Sequence, residues 1–316
     1  MRSHSPPKYT GGLTWRAREN RTTGTNLSLI TELSGHLQAG LPAFGVTLLL
    51  LVAARYLIVL TTPFKPISDI VEQENAAIGV VFGAYLVGVA IALSGTTFGR
   101  DQDEGLIRLA KILCEGALAI VLVRISIYVN DRFILHRFCI VKELREDKNL
   151  GVAFSVAGSC IASGLVLNGA LIGFSKDFLY GLRDIVIFWL IGELALALGA
   201  MVYHRMKKYD VHELIEFDDN VAVGIGFGAF LASLGLVVRA SLVGAGLDSM
   251  SQELPRTLLL ALIGVSGVIA VHAMAIWFVT ARVNYKDEVE MHGNTAVSIV
   301  TACASLAAAL LFASFI

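Results

Sequence analysis

Asn75, Asn149, Asn220 and Asn294 divide the chain at steps of 74, 71 and 74 residues. Each follows a polar, mostly acidic stretch and opens a long apolar run rich in small residues. Equal steps of this kind mean internal duplication, and duplication restricts the topology before any single residue does. The period has two levels. The outer one is 145 residues: Asn75–Leu86 (NAAIGVVFGAYL) and Asn220–Leu231 (NVAVGIGFGAFL) share seven of twelve positions. The inner one, about half as long, is looser. Four residues after each asparagine stands Gly79, Ala153, Gly224 or Ser298, and eight after stands Gly83, Ala157, Gly228 or Ala302. These two positions share a helix face, so each copy carries a small-xxx-small stripe of the kind that lets helix backbones approach closely in lipid. Helix packing is the simplest role for the stripes; lining a common axis or conduit is the functional alternative.

Composition fixes the solvent. The chain is 55% hydrophobic and 16% charged, against about 25% charged in an average soluble domain, and its mean hydropathy is +0.70. Apolar runs of roughly 20 residues are long enough to span a bilayer. Eight are predicted, over 41–61, 75–95, 105–129, 150–173, 179–203, 220–243, 255–281 and 295–316, with Pro42 and Pro255 opening the first and seventh. Continuous rather than alternating apolar runs favour helices over a barrel. The expected fold is therefore an all-α polytopic membrane helical bundle of about eight transmembrane helices, built as four parallel two-helix repeats. Because each repeat holds two spans, every copy enters the membrane in the same direction, which disfavours inverted-repeat transporter designs.

The expected organisation is a polar, mostly disordered tail over 1–40, a four-helix unit over 41–173 and a second over 174–316. The tail is basic and lacks the apolar core of a signal peptide; within it, Asn26–Gln38 has a weak amphipathic pattern suited to a membrane interface.

Asparagine is a favoured N-cap, because its side-chain oxygen accepts from a first-turn N–H that has no partner in the helix. Acidic residues just upstream suit the positive end of the helix dipole. Capping alone would be served nearly as well by Ser, Asp or Thr. Four uses of the same residue point to a second task for the amide, such as a bond between helices or a polar ring at one membrane face. The acidic stretches show no calcium-loop spacing, and the cysteines Cys114, Cys139, Cys160 and Cys303 show no metal-binding spacing. No metal or other cofactor is expected.

This pattern of acidic residues, then Asn-x-Ala/Gly-x-small, then a Gly/Ala-rich helix resembles the DUF350 family of bacterial inner-membrane proteins. Asn75-Ala-Ala and Asn220-Val-Ala carry the resemblance best; Asn149-Leu-Gly and Asn294-Thr-Ala are looser. The resemblance implies four spans and two asparagine motifs per unit, hence two units in tandem here, and a bacterial inner-membrane location. It implies no reaction.

Charge around the spans predicts orientation. Loops leading to the asparagines carry eleven Lys and Arg, against five in and just beyond the opposite loops. The positive-inside rule then places the asparagine loops in the cytoplasm and both termini outside, although the basic tail argues the other way.

Ionisable residues inside spans are functional candidates by default. Here they are Glu115 and Arg124 in the third span, Glu193 in the fifth and His272 in the seventh, with Arg55 in the first and Arg239 near the end of the sixth. Lys111 is one turn from Glu115 and placed to pair with it, and Arg239 is placed to snorkel. None of Glu115, Arg124, Glu193, His272 or Arg55 recurs 145 residues away, which excludes a symmetric ring of carboxylates. Pairing of Glu193 with Arg124 or Arg55 is the expected arrangement. Val223–Gly228 (VGIGFG) lies inside a span and reads as packing rather than a nucleotide loop, and no enzyme signature is present. A nucleic-acid partner is not expected, since no basic stripe with interleaved aromatics occurs. Two functions remain: a channel or transporter for ions or a small solute, with Glu193 and Glu115 on its path, or a non-transporting envelope scaffold. The scaffold would contact the lipid bilayer, and either form a homo-oligomer or recruit a cytoplasmic protein partner at the asparagine loops.

Overall fold

The asparagines mark real helix starts. In the computed structural model, which describes residues 37–38, 40–65, 67–97, 105–135, 140–173, 177–207, 209–244, 250–280 and 284–316, eight helices are long and apolar enough to cross a membrane. They are α1 (Gly40–Thr61), α2 (Ala76–Gly95), α3 (Gly105–Phe133), α5 (Leu150–Leu171), α6 (Phe178–Met206), α8 (Val221–Leu242), α9 (Met250–Val279) and α10 (Thr295–Ala313). The N-terminal tail over 1–36 falls outside the described residues, as do Pro66, Arg100, Arg137, Cys139, Lys176, Lys208 and Arg282.

Two spans run further than hydropathy suggests. In α3 the polar turn Asn130-Asp131-Arg132 continues the helix past the apolar core, and in α6 so does His204-Arg205. Pro255 does not open α9 but lies inside it. A proline near a helix start removes one hydrogen bond whose loss a terminal turn tolerates.

Four short elements escaped the hydropathy pattern. A single π-turn, π1 (Ser68–Glu72), precedes Asn75, α4 (Ile140–Arg145) precedes Asn149, α7 (Val211–Glu216) precedes Asn220, and π2 (Asp287–Met291) precedes Asn294. In each copy the backbone N–H of the asparagine closes onto the carbonyl six residues back, Asp69, Glu143, Leu214 or Glu288, at 2.9–3.0 Å. The residue just before the asparagine is left-handed every time: Glu74 (φ 50°), Lys148 (φ 53°), Asp219 (φ 49°) and Gly293 (φ 56°). A left-handed residue is the usual way to stop a helix, and three copies accept it without glycine, at a cost of roughly 1–2 kcal/mol each.

Contacts divide the chain between residues 46 and 47; the packing that follows belongs to 47–316. The asparagine-led helices form one layer in the order α2, α5, α8, α10, each packed on the next. Helices α3, α6 and α9 pack over them. The most extensive helix contact is α5 with α8, which crosses from the first half of the chain to the second. These two are the centre of the row: 78% of each apolar window is buried, against 28% in α10.

Candidate functional site

Each asparagine does two things at once. Its Oδ1 caps its own helix, accepting the N–H of Ile78, Val152, Val223 or Val297 at 3.0–3.2 Å. In the first three the amide also reaches forward to the next copy. Asn75 Nδ2 donates to the Leu144 carbonyl (2.8 Å), Asn149 to Ile215 (2.7 Å) and Asn220 to Val289 (2.8 Å). Every acceptor lies five residues before the following asparagine, inside the short element that leads to it. Asn149 also donates to Glu143 Oε2 (3.1 Å) of its own copy, and Asn294 does the same with Glu288 Oε2 (2.8 Å). Burial pushes the Glu143 carboxyl above its usual range, partly offset by that Asn149 hydrogen bond. Charged links reinforce the first joint: Arg145 Nε lies 3.7 Å from the fully buried Asp69, and Lys148 Nζ donates to the Gln73 carbonyl at 2.8 Å. Within the described residues no three His, Cys, Asp or Glu come together as a metal site would require.

These amides form an open row rather than the closed ring that the repeat suggested, because α10 and α2 make no substantial contact. The small-residue stripes likewise do not surround a shared axis; they meet in pairs. A Cβ on Gly158 of α5 would run into the backbone of Gly228 on α8, and one on Gly224 into Gly151. One on Gly88 of α2 would fall 2.5 Å from the Cys160 carbonyl of α5. Ala153, Ala157, Ser298 and Ala302 are buried in the corresponding joints. Gly79 and Gly83 are the exception. A Cβ there would meet nothing within 4 Å, because α2 stands at the end of the row and this is its face toward an earlier helix. The contact to α5 uses Gly88 and Gly95 instead.

The other ends of the helices are tied too. Asn168 of α5 donates to the Ile91 carbonyl (2.8 Å) and Ser94 Oγ (2.9 Å) of α2, and its Oδ1 accepts from Arg239 Nε of α8. Ser94, Asn168 and Arg239 each stand nineteen residues after their asparagine, a repeat signal present in the sequence but lost among the apolar residues. Arg239 reaches sideways to a neighbouring helix instead of snorkelling.

Between the layers, Glu193 is 4% exposed. It pairs with neither Arg124 nor Arg55. Its Oε1 accepts from Ser126 Oγ (2.8 Å) of α3, which in turn accepts from Trp189 Nε1 (2.8 Å). Beside it Asn130 donates to Ser163 Oγ at 2.9 Å. The expected partners are engaged elsewhere. Arg124 places Nε on Thr61 Oγ1 (2.7 Å) and Nη2 on the Thr61 carbonyl (2.9 Å), where a guanidinium satisfies the end of α1. Arg55 lies over the Tyr56 ring at 5.2 Å. Glu115, 2% exposed, lies eleven residues before Ser126 on α3, about 16 Å along the axis at 1.5 Å per residue. The two carboxylates therefore occupy different depths and do not form one site.

A second polar group joins α6 to α9 and α10. His272 sets Nδ1 at 3.0 Å from Ser305 Oγ, with the Tyr203 and Phe230 rings 5.5 and 5.4 Å from its own. One turn beyond Tyr203, Lys207 Nζ lies over three rings, Tyr203 (4.7 Å), Tyr285 (5.2 Å) and Tyr209 (5.9 Å). Burial lowers the Lys207 ammonium from 10.5 to about 8. Tyr203 and Tyr209 flank Lys207 in sequence, but Tyr285 comes from a distant segment, so the linear pattern did not announce the complete cage.

A row of parallel hairpins with close-packed faces and polar ties at both ends defines a polytopic membrane protein of repeated two-helix units. The chain belongs to the DUF350 family, described as Domain of Unknown Function (DUF350), which matches twice in tandem, over residues 32–171 and 177–316. No curated protein and no solved structure matches it.

Proposed function

We propose that this protein is a non-transporting scaffold of the bacterial inner membrane, with the asparagine caps on the cytoplasmic side, both termini outside and no catalytic role. The observation that carries this reading is the backbone-to-backbone packing of Gly158 with Gly228, Gly151 with Gly224, and Gly88 with Gly164. These contacts close the α2–α5–α8 layer where a conduit between hairpins would need separation. Ties at both helix ends hold the layer shut, through the asparagine amides on one side and the Ser94–Asn168–Arg239 chain on the other. The acidic caps, among them the exposed Glu72 and Glu74, offer a negatively charged surface to a basic cytoplasmic partner. Purified protein in liposomes should pass protons, K+, Na+ and Cl− no faster than protein-free vesicles. Protein-dependent flux of any of them would sink the scaffold reading.

Transport of an ion or small solute is the second reading, and Glu193 favours it. Glu193 is a carboxylate buried in a span, bound through Oε1 to Ser126, with Ser163 and Trp189 as further polar neighbours; such carboxylates mark proton or ion pathways in other membrane proteins. If flux is found, Glu193→Gln should abolish it.

A further inference from the structure

We propose that copies of this chain join head to tail, with α10 of one copy docking on α2 of the next. This deepens the scaffold reading by naming its partner, and the two fail separately: flux tests the first, covalent capture of neighbours tests the second. The chain contains the template for the joint. Where α5 meets α8, the earlier helix presents Gly151, Phe154, Gly158 and Ala162, which stand 2, 5, 9 and 13 residues after Asn149. The later helix receives them with Gly224, Gly228 and Gly235, which stand 4, 8 and 15 after Asn220.

Both halves of this joint recur at the ends of the row, where no described residue fills them. On α10 the presenting positions are Ala296, Ile299, Cys303 and Ala307, and all four are exposed. On α2 the receiving positions are Gly79, Gly83 and Ala90. Gly83 and Ala90 are exposed, and a Cβ on either glycine would meet nothing within 4 Å.

The polar tie is unfinished as well. Asn149 uses its amide twice, on its own Glu143 and on the next copy's Ile215 carbonyl. Asn294 makes only the first of these bonds among the described residues, to Glu288. By the same count the missing acceptor is the carbonyl of Ile70, five residues before Asn75, in another chain. Three features of one interface, the presenting face, the receiving face and the amide, are thus left over at opposite ends of the same molecule. A contact between unlike faces repeats until it closes into a ring or extends as a filament.

The register makes the test specific. Gly158 meets Gly228, so Cys303 of one copy should face Gly83 of the next. The full chain carrying Gly83→Cys, with Cys114 and Cys139 changed to Ser, is oxidised in native membranes and after purification into nanodiscs. Gly83 has room for the new side chain, and the Ala90→Cys, Ala307→Cys pair, with Cys303 also changed to Ser, tests the same joint if that variant folds poorly. The expected result is a cross-linked dimer or a ladder of higher species, lost on adding Cys303→Ser and reduced several-fold by Asn294→Asp, which keeps the cap oxygen but removes the amide hydrogens. Absence of cross-links in both pairs overturns the proposal. So does a dimer formed through Cys303 alone, which would mean a two-fold α10–α10 contact. Cross-links that appear only when residues 1–36 are deleted also overturn it, since the tail would then be the occupant of α2.

Discussion

Arg239 Nε meets Asn168 Oδ1 at 2.5 Å, and both residues hold the same place in their repeats, nineteen positions after the capping asparagine. The bond joins the two halves of the chain at the membrane face opposite the caps. Interhelical hydrogen bonds in membranes contribute about 0.6–2 kcal/mol. Arg239→Ala is expected to lower stability in detergent by about 0.6–2 kcal/mol, seen as a lower thermal midpoint. In a double-mutant cycle with Asn168→Ala the two losses should fall short of additivity; simple additivity would show that the pair is not coupled.

The caps carry two separable contributions. Asn220→Ser keeps an oxygen that can accept from Val223 but cannot reach the Val289 carbonyl. It should cost about 1 kcal/mol, the scale of one net hydrogen bond. Asn220→Ala loses the cap as well and should cost about 1 kcal/mol more. Equal losses in chemical denaturation would mean that the bond to the next copy contributes nothing.

Identical motif positions should respond in opposite ways. Gly228→Ala places a methyl against the Phe154 carbonyl. Because backbone cannot step aside, α5 and α8 must separate, and the loss should be on the order of 3 kcal/mol, at the upper end for overpacking. Gly83→Ala, eight residues after Asn75 as Gly228 is after Asn220, meets open space. It should leave the monomer unchanged or raise its stability by up to about 1 kcal/mol through helix propensity. Comparing the thermal midpoints of the two variants decides the point.

Lys207 gives a pH signature with a definite sign. Its folded pKa of about 8 lies below the ordinary 10.5. Between those values the unfolded chain binds more protons, so this residue makes stability rise with pH across that window. Below pH 8 both states are charged and the full cost of burying the ammonium is present. Lys207→Met should therefore stabilise the fold at pH 7 by up to roughly 3 kcal/mol, read as a higher thermal midpoint, and flatten the dependence between pH 8 and 10.5. An unchanged slope in the variant would remove Lys207 from this role.

Repeat, spans and caps were legible in the sequence because each depends on local chemistry: apolar length, small-residue spacing, and a side chain that accepts from its own helix. The second job of the asparagine amide was legible as a need, though not its partner, because Leu144, Ile215 and Val289 contribute only a backbone carbonyl, which leaves no trace in side-chain identity. The short elements before the caps escaped because five or six charged and apolar residues cannot show a period. The Glu193 pairing failed for a different reason. Opposite charges in a span suggest an ion pair, yet a guanidinium near a helix end finds carbonyls closer at hand, and Thr61 claimed Arg124. The Lys207 cage needs Tyr285, far along the chain from Tyr203 and Tyr209, and was invisible until the two segments met.

The contact between α5 and α8 lies across the boundary between the two family units. A chain carrying one such unit would have to make the same contact with a separate molecule, at whatever concentration the membrane supplied. Tandem fusion makes it intramolecular, where a short connection corresponds to an effective concentration in the millimolar range. For this chain, then, the central joint does not depend on expression level.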